Sequence, residues 1–240
     1  MATSEEIKDR VQANWNEVRS QVDAALATSG RSDAIRIVGV TKYVGPELTS
    51  FLVEAGCEVL GENRPQVLWE KHAWFGERGI TQPRWDVIGH LQRNKVRRTL
   101  PMIGWLHSVD SQRLVNTLQS EAERVGLVLP ILIEVNITPD QEKTGLQPDA
   151  LPAILDGLEQ CENLEPRGLM AMSSHFSGGD QARREFADVR ELRDQYSARY
   201  PELDLSELSM GMSGDFREAI AEGATLIRIG SSLWEGIERA

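Results

Sequence analysis

At 240 residues the chain exceeds the commonest domain size yet lies within the span of one (β/α) barrel. Apolar residues are 40% and charged residues 26%, ordinary globular usage that excludes a disordered or fibrous chain. With 26 basic against 37 acidic side chains the formal charge is -11, which repels nucleic acid and anionic lipid over most of the surface.

Residues 4–27 place Ile7, Val11, Trp15, Val18, Val22, Ala25 and Leu26 at steps of three and four, the stripe of an amphipathic helix that Ser4 is placed to cap. After the Ser29-Gly30 break, Ile35 to Val40 is a β-branched run that reads as a buried strand leading directly into Thr41-Lys42. A helix is expected from Gly45 to Ala55, a strand from Glu58 to Leu60, a helix from Pro65 to Arg78 and a strand from Trp85 to Ile88. A short basic helix carrying Arg93, Lys95, Arg97 and Arg98 follows; such a cluster is a solvated face or a site for an anionic ligand or partner. Further strands fit Ile103 to Leu106, Ile131 to Val135, Pro166 to Met170, Leu205 to Leu208 and Leu226 to Ile229. Helical patterns over Ser111 to Val125, Asp149 to Gln160 and Asp180 to Tyr200 stand among them.

Strands alternating with helices, without hairpin signals, predict a parallel sheet covered by its crossovers. Eight such units close into a barrel. The alternative, an open doubly wound sheet, would carry a glycine-rich turn after the first strand, where Val40-Thr41-Lys42-Tyr43 stands instead. No linker or repeat interrupts residues 1–240, so a single domain is expected. Cys57 and Cys161 are too few for a disulfide scaffold, and no run nears the roughly 20 apolar residues of a membrane span. A cytoplasmic protein is expected.

In a (β/α) barrel the reactive groups sit at the carboxyl ends of the strands. Lys42 follows the first strand; an amine partly desolvated there gains the capacity to attack an aldehyde, the alternative being a plain surface lysine. Asn63 follows the second and offers donors and an acceptor without charge, or else caps the next helix. His90 follows the third, for proton transfer or for satisfying backbone groups. The turns Ser209 to Asp215 and Arg228 to Ser232, small and hydroxyl-bearing, precede helices whose N–H groups and dipoles favour a phosphate. Met210 and Met212 are ligand contacts or core filler. His72, His90, His107 and His175 lack metal-ligand spacing, and no Walker loop, G-x-S-x-G elbow or G-x-G-x-x-G fingerprint occurs.

Several segments together resemble one family, the pyridoxal 5'-phosphate (PLP) homeostasis proteins of the YggS and PROSC type. They are Val40-Thr41-Lys42, Gly61-Glu62-Asn63-Arg64-Pro65-Gln66, Ile88 to Lys95, His107-Ser108-Val109-Asp110 and Glu134-Val135-Asn136. Lys143-Thr144-Gly145, Gly168-Leu169-Met170, Leu208 to Ser213 and Ile227-Arg228-Ile229-Gly230 continue the series in the family's order. The resemblance implies a (β/α)8 barrel like that of alanine racemase, fold type III of the PLP proteins, with an added N-terminal helix. It also implies PLP bound covalently as a Schiff base with Lys42, Asn63 beside the ring, Arg228 facing the pyridine nitrogen, and Ser213, Gly230 and Ser231 at the phosphate. Met210 would lie near the ring. Departures are Tyr43-Val44-Gly45-Pro46, Ser173-Ser174-His175-Phe176 and Trp234-Glu235, where the family shows phenylalanine and then glycine.

Two functions compete: a non-catalytic carrier delivering PLP to PLP-dependent apo-enzymes, and a racemase-like enzyme acting on amino acids. Only eleven residues follow Ile229, whereas racemases add a β-rich domain with a catalytic tyrosine. Racemisation needs two placed acid–base groups, and the sequence offers Lys42 without an evident second. The carrier is the expected function.

Overall fold

The computed structural model describes residues 3–138, 140, 144–174 and 179–238. It opens with α1 (Ser4–Ser29), whose apolar stripe buries Val11, Trp15, Val18 and Val22. Thr3, not Ser4, is its cap, because Glu6 three residues on closes a reciprocal pair with it. Thr3 Oγ1 accepts from the Glu6 N–H at 3.2 Å, and the Glu6 carboxylate accepts from the Thr3 N–H at 2.7 Å.

There follow β1 (Arg36–Val40), α2 (Pro46–Glu54), β2 (Val59–Glu62), α3 (Pro65–Glu77), β3 (Arg84–Val87) and α4 (Arg93–Thr99). Next come β4 (Trp105–Val109), α5 (Gln112–Val125), β5 (Leu129–Glu134), α6 (Leu151–Leu158) and β6 (Leu164–Met170). The chain then forms α7 (Gly179–Arg199), β7 (Glu207–Met212), α8 (Phe216–Ala221), β8 (Leu226–Ile229) and a 3-10 turn at Ser231–Trp234. Among the described residues eight parallel strands pair in chain order, and β1 pairs with β8 to close the barrel. The expected (β/α)8 barrel with its N-terminal helix is the observed fold. No helix among these residues is long and apolar enough to cross a membrane.

β4 and β7 each start two residues later than their apolar runs indicate. β4 starts at Trp105 rather than Ile103, because Leu100–Met102 form a 3-10 turn around Pro101. β7 excludes Leu205 and continues through Ser209, Met210 and Gly211, residues expected in a loop. Alternation along the strands sorts side chains into two layers. Leu60, Leu106, Ile131, Ile133, Leu169, Leu208 and Ile227 join the helices in the main core. Inside the barrel, Val38, Val59 and Leu226 pack with Ile88, and Trp105 packs with Leu132 and Met170. Asp86, His107, Ser209 and Arg228 are buried as well and carry the polar part of the interior.

Candidate functional site

The carboxyl ends of the strands surround a cavity of 370 Å³. Lys42 enters it from the end of β1, Asn63 from β2, and Arg228, Gly230 and Ser231 from β8 and the turn beyond. Met172, Met212, Tyr43 and Trp234 supply apolar wall. The barrel therefore brings five of the seven residues singled out from the sequence to one wall-lined space, and it treats the other two, Met210 and Ser213, differently.

Lys42 is half-buried, its Nζ 4.9 Å from the centroid of the Tyr43 ring. Asn63 is not the cap of α3: extended Arg64 holds that position and Pro65 opens the helix. Asn63 lines the cavity, and its Oδ1 is buried without a hydrogen-bond partner among the described residues. Close approach of Gly89 keeps Asn63 in place; a Cβ at Gly89 would stand 2.6 Å from the Asn63 carbonyl oxygen.

Arg228 is 4% exposed and is held by neutral groups. Its Nη1 donates to the Ser209 carbonyl at 2.6 Å and to Ser209 Oγ at 2.8 Å, and its Nη2 donates to the Ala171 carbonyl at 2.9 Å. Burial draws its pKa down to about 10, against the opposing pull of Asp215 and Glu134. Behind it, His107 Nδ1 lies 3.0 Å from Ser209 Oγ and Nε2 lies 3.1 Å from Asp86 Oδ2. Asp86 also accepts from Arg84 at 2.9 and 2.8 Å and from the Trp105 N–H at 3.2 Å. A carboxylate only accepts, which assigns the ring proton to Nε2 and leaves Nδ1 to accept from the Ser209 hydroxyl. Burial lowers the proton affinity of His107, favouring this neutral ring.

The last two turns do not carry the helix dipoles that the sequence suggested for a phosphate. α8 has 6 residues and the segment after β8 is a 3-10 turn of 4, too short for a substantial dipole. The turns offer converging N–H groups instead: those of Gly230 and Ser232 both point to Ser213 Oγ, at 3.2 and 3.4 Å. Ser213 thus joins the two turns without being a lining residue of the cavity. Met210 lies fully buried in the main core, on the helix side of β7, and Met212 takes the cavity side.

The structure adds to the site a residue that the sequence did not single out, Glu134, and brings in His90, which it did. Glu134 ends β5 on the cavity wall, and its Oε1 accepts from Thr144 Oγ1 at 2.5 Å. His90 also lines the cavity, its Nδ1 3.1 Å from Asp110 Oδ2. Two further titratable side chains, Glu134 and His90, therefore line the cavity with Lys42. The polar ends of apolar runs were the available signal, and Glu134, at the end of Leu132-Ile133-Glu134, carried it. Trp234 fits its unusual position: it is 2% exposed and donates from Nε1 to the Val40 carbonyl at 2.9 Å. The basic cluster on α4 lies apart from the cavity wall, with Lys95 and Arg98 over the Trp69 ring at 5.4 and 4.0 Å. Lys143, His175 and Phe176 lie outside the described residues.

Residues 50–237 match the family described as alanine racemase, N-terminal domain. A pyridoxal phosphate homeostasis protein of Aquifex aeolicus is 33% identical over 90% of this chain and 94% of its own length. The solved structure of PipY from Synechococcus elongatus, with PLP bound, is 31% identical and superposes with a TM-score of 0.84, covering 93% of this chain and 99% of that one. An alanine racemase of Clostridium difficile shares the barrel at a TM-score of 0.69 and 15% identity, and 94% of this chain corresponds to 56% of that longer chain.

Proposed function

The chain belongs to the pyridoxal phosphate homeostasis protein family, and from that premise we propose that it takes up PLP in the carboxyl-end cavity, covalently through Lys42, and carries it to PLP-dependent apo-enzymes. The observation that carries the reading is the convergence on one cavity of an amine, an unpartnered buried amide oxygen and a buried guanidinium, beside a turn rich in N–H groups. When bound, PLP supplies an aldehyde that amines capture and a ring that withdraws electrons.

Each residue has a task that its chemistry suits. Lys42 is the attaching amine. Asn63 Oδ1 meets a donor on the ring side. Arg228 remains protonated near neutrality and faces the ring nitrogen as a donor, which weakens the ring as an electron sink. Gly230 and Ser231 line the cavity where the phosphate would sit, and Ser213, which accepts from the Gly230 and Ser232 N–H groups, holds that turn in place and offers its hydroxyl proton. The whole described chain forms one carrier domain in this reading, and the free thiols of Cys57 and Cys161 accord with a cytoplasmic setting.

The racemase-like alternative draws on Glu134 and His90, which share the cavity with Lys42. Incubation with single amino acids separates the two: a carrier leaves their chirality unchanged, and sustained racemisation of any one overturns the carrier assignment. The attachment is tested by mixing the purified protein with PLP, reducing with borohydride and mapping the adduct by mass spectrometry. Lys42→Ala is expected to abolish the adduct with circular dichroism unchanged, since a half-buried rim lysine does not support the core. An adduct that persists on another lysine refutes the assignment.

A further inference from the structure

Behind the cavity a second lysine is buried. Lys71, on α3, has 2% of its side chain exposed, and Glu62, its ion-pair partner, has none. The Lys71 ammonium also donates to the Thr41 carbonyl at 2.7 Å, and Thr41 Oγ1 donates to Glu62 Oε1 at 2.6 Å. A backbone bond from the Thr41 N–H to the Gly61 carbonyl at 3.1 Å completes the link between the ends of β1 and β2. Thr41 precedes Lys42 and Glu62 precedes Asn63, so α3 reaches back to grip the two backbone segments that present both cavity residues.

Holding a helix against a sheet does not call for this arrangement. Two charges lose their hydration in that layer, and an apolar pair of similar volume would pack there without the loss. The ion pair adds direction instead: an ammonium with three donors fixes a particular carbonyl and a particular carboxylate oxygen. Glu62 Oε2 is left buried without a partner, so the carboxylate is oriented by the Oε1 contacts alone among the described residues.

We propose that Lys71 is a positioning residue of the site, which through Glu62 and the Thr41 carbonyl fixes the backbone that aims Lys42 and Asn63 at the cofactor. Its functional meaning rests on the PLP reading above; its effect on the backbone does not. Lys71→Met alone strands a buried carboxylate and unfolds the question into one of stability, so the informative protein is Lys71→Met combined with Glu62→Gln, which is neutral at both positions.

Two readouts apply to this double variant. Hydrogen exchange reports the Val44 amide, which donates to the Thr41 carbonyl at 3.1 Å. It is expected to exchange about tenfold faster than in the wild type, with the thermal transition still cooperative. The rate of PLP adduct formation at Lys42 is expected to fall about tenfold. A wild-type value for either quantity overturns the proposal and makes the pair structural only. Should the double variant not fold, Lys71→Leu combined with Glu62→Leu, apolar at both positions, carries the same two measurements with an expected change of about tenfold, and no change overturns the proposal. If the wild type itself forms no adduct, the PLP reading fails, and the exchange of Val44 still decides the clamp.

Discussion

Glu134 is a carboxyl inside the cavity with 3% of its surface exposed. Burial raises its proton affinity and Asp110 adds to the rise, while the Thr144 hydroxyl bond opposes it. A carboxyl with a raised pKa holds protons more tightly in the folded than in the unfolded chain. Its contribution to stability is therefore complete below about pH 4.5, the ordinary value, and is lost as the pH climbs through the raised one. Glu134→Gln keeps an acceptor for Thr144 and removes the charge. Ligand-free Glu134→Gln is expected to melt above the wild type at about pH 7.5, the two curves converging as the pH approaches the ordinary glutamate range. A Tm difference independent of pH would locate the effect outside this ionisation. At this scale Lys42 and Asn63 were legible because each stands within three residues of the end of an apolar run. Ser213 was legible as a turn residue, but its bonds to the Gly230 and Ser232 N–H groups arise only where two distant turns meet.

Among the elements, β7 illustrates how a strand aims its side chains. Gly211 has a φ of 91°, and the pairing of β7 with β8 shifts register between Ser209 and Met212. The resulting bulge leaves Met210 toward the helices and turns Met212 toward the cavity. A side chain at Gly211 meets two penalties: the left-handed backbone and a Cβ 2.6 Å from that of Ala219. Gly211→Ala is expected to cost about 1–3 kcal/mol in urea denaturation and to disturb the Met212 wall. A loss within about 0.5 kcal/mol would mean that the bulge relaxes freely. The sequence left Met210 and Met212 alike as ligand contacts or core filler, because simple alternation does not reveal a bulge and both residues belong to the same short Ser-Met-Gly-Met run.

For the whole molecule, the helix that precedes the barrel is tied to the site at its far end. α1 packs against α2, α8 and the terminal 3-10 turn. Asn14 Nδ2 donates to the carbonyls of Leu233 and Glu235 at 3.1 and 3.0 Å, so the turn that begins at Ser231 is anchored to α1. Trp15, 4% exposed, belongs to the same core as the strands. Trp15→Ala is expected to destabilise the protein by about 3–5 kcal/mol, read as a lower urea midpoint with an unchanged slope. A midpoint near that of the wild type would show α1 to be dispensable for the core.

The sequence by itself determined the alternation of helices and strands, the closed barrel and the residues next to the strand ends, because periodicity and strand-end polarity are local properties written in consecutive residues. The tertiary structure alone decided that Glu134 and His90 share a cavity with Lys42, that Met212 rather than Met210 faces it, and that Lys71 reaches Thr41 and Glu62. Those outcomes depend on strand register, a backbone bulge and desolvation, which exist only once distant segments exclude water from one another.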